Sequence, residues 1–191
     1  LLCMMNFLGT HDTERIITVL GDGFSNGLAG SVLASKKLDD EDYAKGKKLL
    51  KAAFALLSCL PGVPAIYYGD EAGLEGYRDP FNRRPFPWGN EDAELQAHFR
   101  FLTRLYREHP VLRSGEAAFS AEGEDVFLCE RRDDRVIAGI GVNVGETAFP
   151  PEIAGRATSL ALLGDGDSPS IPAVRDAVLA ALGRICEDWR R

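Results

Sequence analysis

The chain has 191 residues, 45% of them hydrophobic, enough to bury a real core as one domain or two small ones. With 22 Lys and Arg against 29 Asp and Glu it carries a formal charge of -7, which argues against nucleic acid as a partner, since phosphate neutralisation relies on clustered cations, and suits a neutral substrate. No apolar stretch approaches the ~20 residues of a membrane helix, and Cys3, Cys59, Cys129 and Cys186 show no Cys-x-x-Cys spacing, so the expectation is neither a zinc site nor a disulfide framework but reduced, buried thiols in a cytoplasmic protein.

In chain order, residues 1–5 with Phe7 and Leu8 form a nearly continuous apolar run, the pattern of a strand buried on both faces of a parallel sheet. It passes through Asn6 and Gly9-Thr10 into His11-Asp12-Thr13, and polar residues at the carboxyl ends of parallel strands are where ligands collect in α/β folds. A His-Asp pair alone admits three readings: a satisfied loop pair, metal ligands, or a substrate clamp. Ile16, Ile17, Val19 and Leu20 suit a short helical turn ended by Gly21-Asp22-Gly23, and residues 22–38 read as a glycine-rich surface insertion. A helix is expected from Asp39 or Asp40, both plausible caps, with Leu49, Leu50, Ala53, Phe54, Leu57 and Leu60 on one face. Pro61-Gly62 stops it, and a strand over residues 63–68 follows, giving strand, helix, strand with a right-handed crossover expected.

Residues 69–88 form a long loop, with Tyr67 and Tyr68 before it read as core and Trp88 at its end as either a sugar-stacking or a packing residue. Asp79 and Arg83, four apart, read locally as an ion pair that shapes the loop. A helix over residues 90–108 is expected, capped by Asn90 or Asp92 and closed by His109-Pro110. Beyond it, residues 126–131 and 135–143 around Asp133-Asp134 suggest an antiparallel hairpin, and residues 177–182 a closing strand.

Three of these segments together carry a resemblance: Gly9-Thr10-His11-Asp12-Thr13, then Pro61-Gly62-Val63-Pro64-Ala65-Ile66-Tyr67-Tyr68-Gly69-Asp70-Glu71, then Asp79-Pro80-Phe81-Asn82-Arg83. In order and spacing they resemble the end of the catalytic barrel in glycoside hydrolase family 13, the α-amylase family, and its neopullulanase and cyclomaltodextrinase branch in particular. The resemblance implies an α/β fold in which residues 1–112 are the last two strand-helix units of a (β/α)8 barrel and residues 113–191 a small antiparallel β domain. It implies that Asp12 is the carboxylate that stabilises the transition state at the cleaved sugar, that His11 donates to the same sugar, and that Asp79 and Arg83 hold further glucose hydroxyls. No metal or cofactor is implied, and Asp70 and Glu71 are expected to shape the loop.

The nucleophile and general acid of the family lie on earlier strands, and a chain opening Leu1-Leu2-Cys3 directly in a buried-type strand reads as part of a longer protein. The expectation is an α-glucan hydrolase segment, inactive alone, whose uncovered strands drive self-association. Two other classes compete with it. A metal-dependent phosphohydrolase built on His11-Asp12 would have to recruit His98 or His109, and a non-catalytic sugar-binding or assembly module would use Asp79, Arg83 and Trp88.

Overall fold

The computed structural model describes residues 4–25, 27–122, 126–134 and 137–143, so the expected strand at 177–182 lies outside the described residues. Two compact units emerge: one holds the chain to Glu116 with Arg131–Ile137, the other Ala117–Glu130 and the described residues from Ala138.

In the first unit, β1 (Met5–Phe7) and β2 (Val63–Ala65) pair in parallel with Met5 opposite Val63 and Phe7 opposite Ala65. Between them run α1 (Ile16–Asp22), the single turn α2 (Gly30–Leu33) and α3 (Asp40–Cys59). The expected two-sided burial of β1 is corrected. Side chains alternate across a strand, and here it is polar Asn6 that turns inward, 2% exposed, with Nδ2 donating to the Pro61 carbonyl at 2.9 Å. Met5 and Phe7 point the other way and are 58% and 41% exposed.

The second strand is also shorter than residues 63–68. Pro64 lacks a ladder donor, and the Tyr68 carbonyl accepts from the Arg15 guanidinium instead of a strand, while Asp70 N–H bonds Tyr67 O at 3.1 Å to begin a 3-10 turn over Asp70–Ala72. Tyr68 is accordingly exposed, not core, its hydroxyl donating to the Arg84 carbonyl at 2.8 Å.

The helix α3 begins where the sequence placed it. Asp39 accepts from the Asp42 N–H at 2.8 Å, satisfying one of the orphan donors of the first turn, and Asp40, Glu41 and Asp42 complement its positive end. Its apolar face, Leu50, Phe54 and Leu57, joins Ile17 of α1 and Leu95 and Phe99 of α4 (Ala93–Glu108) in one buried cluster. The Phe54 and Phe99 rings stack at 3.9 Å between centroids. Asp92 caps α4 by accepting from Leu95 N–H at 3.0 Å and also pairs with Lys47 of α3 at 2.8 Å, so one carboxylate starts one helix and ties it to another.

Helices α1 and α3 meet backbone to backbone. A Cβ added at Gly46 would lie 2.3 Å from the Ile17 carbonyl oxygen, and one at Gly21 2.4 Å from that of Asp42. Residues 22–38 are fastened rather than loose: Ser25 Oγ donates to Glu14 at 2.6 Å, Lys36 pairs with Asp22 and donates to the Tyr77 hydroxyl, and Leu33 is fully buried.

Helix α4 ends at Glu108 with His109 as its cap, as expected, and Pro110 then opens a further short helix, α5 (Pro110–Ser114), at the first-turn position where its missing N–H costs nothing. A three-stranded sheet follows in the order β3 (Glu116–Glu122), β4 (Val126–Arg132), β5 (Ile137–Asn143). The expected hairpin corresponds to β4 and β5; β3 was not expected, because Ala117, Ala118 and Ala121 give it little β-forming character.

Candidate functional site

The parallel register of β1 and β2 sets their carboxyl ends side by side, and the turn after β1 is closed by two hydroxyls. Thr13 Oγ1 accepts from Thr10 N–H at 2.8 Å, and Thr10 Oγ1 accepts from Asp12 N–H at 3.2 Å. This leaves the side chains of His11 and Asp12 turned out to solvent, 64% and 70% exposed, with His11 Nε2 3.2 Å from Asp12 Oδ2.

The loop after β2 brings the other two expected site residues to the same place. Arg83 Nε is shared between the His11 carbonyl at 3.1 Å and Asp79 Oδ1 at 2.8 Å, and its NH2 group reaches Asp12 Oδ1 at 3.5 Å. The local Asp79–Arg83 pair is therefore present, but it is one link of a network running His11, Asp12, Arg83, Asp79. Ion pairs this exposed contribute at most about 1 kcal/mol each, so fold stability does not account for gathering them. They form a cluster of donors and acceptors held together yet open to solvent, which makes it a candidate ligand site.

A cavity of about 370 Å³ opens there, walled by Met5, Phe7, Ala65, Ile66 and Tyr67 and by the turn from Gly9 to Asp12. Asp12 is its single carboxylate among the described residues. An apolar wall with a few convergent polar groups is the usual character of a small-ligand site.

Beneath this surface lies a supporting layer that the sequence did not reveal. Arg15, 1% exposed, donates through Nε to the Asn82 carbonyl at 2.7 Å and through NH1 to the Tyr68 carbonyl and to Asp70 Oδ1, the last at 3.2 Å. Its guanidinium also lies 4.2 Å from the Tyr67 ring centre and 4.5 Å from that of Tyr68. Burial pushes the Asp70 carboxyl up to about 7 against the opposing pull of Arg15. Asn82, fully buried, donates to the carbonyls of His11 at 2.8 Å and Thr13 at 2.7 Å. A signal existed for it: Asn82 is the polar residue between Asp79 and Arg83 that a purely ionic reading of the segment passes over.

Trp88 is 80% exposed and leans on Phe86, with ring centres 4.5 Å apart. His98, which a metal centre on His11-Asp12 would need, has Nε2 2.9 Å from the Lys51 carbonyl, and His109 sits at the junction of α4 and α5. Among the described residues no three His, Cys, Asp or Glu side chains are gathered as metal ligands would be.

No family model matches the chain. It is 42% identical over 132 residues to an amylopullulanase of Thermoanaerobacter thermohydrosulfuricus, a match covering 67% of the chain and 8% of that enzyme. A cyclomaltodextrinase of Geobacillus thermopakistaniensis is 33% identical over 123 residues, or 63% of the chain and 17% of the enzyme. Among solved structures, a maltogenic amylase from S. marinus superposes with a TM-score of 0.54 at 35% identity, covering 72% of the chain and 17% of the amylase. The chain belongs to glycoside hydrolase family 13. Its structural neighbours in family 13 are (β/α)8 barrel enzymes, and the α/β order of β1, α3, β2 and α4 is of that class. The chain spans 8% of the amylopullulanase, so family membership is shared over a segment only. Among the described residues no helix is long and apolar enough to cross a membrane.

Proposed function

We propose that this chain is the carboxy-terminal part of a retaining α-glucan hydrolase acting on α-1,4 glucosidic bonds, with residues 1–112 completing the barrel and residues 113–191, of which 144–191 lie outside the described residues, as the small β domain that follows it in sequence. Asp12 is the carboxylate that favours the oxocarbenium-like transition state, His11 donates to the same sugar, and Asp79 and Arg83 hold the neighbouring glucose. The observation that carries this reading is the convergence of those four side chains into one exposed network at the ends of two parallel strands.

Retaining glycosidases need two carboxyl groups about 5 Å apart, one to attack the anomeric carbon and one to protonate the leaving oxygen. The cavity offers Asp12 alone among the described residues, so attack and protonation fall to groups from outside this segment. What remains to Asp12 and its neighbours is differential binding, which accelerates the reaction only to the extent that their hydrogen bonds strengthen as positive charge develops on the sugar. The reading takes no metal or cofactor and neither nucleic acid nor membrane as a partner, and the scattered cysteines support a cytoplasmic protein with reduced thiols.

The test has two arms. The purified chain should release no reducing ends from maltodextrin; turnover free of contaminating amylase would end the division of labour. In the complete enzyme Asp12→Asn should lower kcat far more than it raises KM, and a near-normal kcat would contradict the role of Asp12. The alternative, a non-catalytic sugar-binding or assembly module, draws on Asp79, Arg83 and the exposed Trp88 and would be favoured by maltoheptaose binding that survives Asp12→Asn undiminished in an enzyme whose turnover is also unchanged.

A further inference from the structure

We infer that Asn82 is the positioning residue of this site, setting Asp12 through the backbone on either side of it, and that Arg15 is the anchor that holds Asn82 in place. The inference rests on the proposed role of Asp12. The turn from Gly9 to Thr13 has its own hydroxyl bonds, but these are internal to it and at residues open to solvent. They shape the turn without fixing it to the rest of the molecule. Its connection to the opposite loop runs through Asn82, whose two amide hydrogens are both committed, one to the His11 carbonyl at 2.8 Å and one to the Thr13 carbonyl at 2.7 Å. These carbonyls bracket Asp12, so the two bonds fix the peptide units before and after it and hence the direction of its Cα–Cβ bond. Arg83 adds a third bond to the His11 carbonyl, but from a side chain 46% exposed and shared with Asp79.

The backbone of Asn82 is held from behind. Arg15 Nε grips the Asn82 carbonyl at 2.7 Å, and Arg15 is immobilised by the Tyr68 carbonyl, Asp70, two ring faces and its own backbone bond to Gly76 O at 2.8 Å. Asn82 is fully buried, so neither bond is exchanged for water in the folded state. Among the described residues its Oδ1 has no partner. A side chain kept at full burial with its acceptor unpaired is retained for its two donors, which no other uncharged side chain of that size supplies.

The experiment uses Asn82→Ala and Asn82→Ser, the second keeping one donor, in the complete enzyme. A misplacement of about 1 Å at a catalytic group costs on the order of 100-fold, so Asn82→Ala should lower kcat by about that factor with KM changed much less, Asn82→Ser should recover part of it, and Asn82→Ala combined with Asp12→Asn should be no slower than Asp12→Asn alone. A kcat within twofold of wild type, or losses that multiply in the double variant, would overturn the inference, because a residue acting through Asp12 has nothing left to position once Asp12 is gone. If Asp12→Asn itself leaves kcat unchanged, the proposed function fails, and Asn82 is then judged by amide hydrogen exchange on the 191-residue chain. Faster exchange at Thr10, Asp12 and Thr13 in Asn82→Ala, with the α3 amides unaltered, supports the positioning role; unaltered exchange in the turn refutes it.

Discussion

Replacing Asp70 by Asn should make the fold more stable at neutral pH, the reverse of what losing one member of a buried ion pair ordinarily does. Removing a partner from such a pair typically costs about 3–5 kcal/mol, because an uncompensated charge is left inside. Here Arg15 is not left alone: the carbonyls of Asn82 and Tyr68 and the faces of two tyrosines share its charge. Asp70, 4% exposed, is held by Arg15 at 3.2 Å but pays more in lost hydration than it recovers, so its carboxyl is pushed from 3.8 up to about 7. An acid whose pKa is raised by folding binds its proton more tightly in the native state. Its contribution to stability is fully present below the unfolded value near 3.8 and is lost as pH rises through about 7. A gap of about three pH units, at about 1.4 kcal/mol per unit, amounts to about 4 kcal/mol. Urea unfolding of both proteins from pH 4 to pH 8 measures it, because groups common to the two, including the half-buried His98, cancel in the difference. The two should be close in stability at pH 4, and Asp70→Asn should be ahead by several kcal/mol at pH 8. A difference independent of pH, or an Asp70→Asn variant weaker at pH 8, would refute the argument and make the ion pair a net support.

Other outcomes follow from packing and capping. Phe54→Ala, which deletes a 1% exposed ring stacked on Phe99, should cost about 3–5 kcal/mol in urea unfolding; a loss below about 1 kcal/mol would mean the cluster collapses around the gap. Asp39→Ala should cost about 1 kcal/mol through the lost bond to Asp42 N–H and should fray the first turn of α3 in hydrogen exchange. With Met5, Phe7, Val63 and Ile66 all more than a third exposed about a two-stranded sheet, we predict that the chain associates with itself at low micromolar concentration, and light scattering showing a clean monomer would count against that.

The long helices α3 and α4 were legible because their signals are local: Asp39 and Asp92 are caps followed by apolar residues at three- and four-residue spacing, and both lie where the sequence put them. The motifs singled out His11, Asp12, Asp79 and Arg83, and the fold gathers these four into one network. The supporting layer was not legible, because Arg15 and Asn82 are 67 residues apart and each looks like an ordinary surface residue until the fold buries it. Strand β1 misled for a related reason. An apolar run reports that a strand can be covered on both faces, whereas only the partners brought by the rest of the chain decide whether it is, and here Asn6 found one while Met5 and Phe7 did not. Tyr68 misled because its hydroxyl found the Arg84 carbonyl at the surface, an opportunity no local pattern announces.

The contact of α1 with α3 through Gly21 and Gly46 bears on how this segment can change over time. Side-chain interfaces can drift by small steps, one methylene exchanged for another, with neighbours adjusting. Two backbones in direct touch have no such intermediate: a single methyl at Gly46 must displace the Ile17 carbonyl, and with it the helix that Arg15 immediately precedes. Variation in α3 is therefore channelled away from that crossing and toward its other faces, and the spacing between the two helices behaves as a fixed dimension of the site above them.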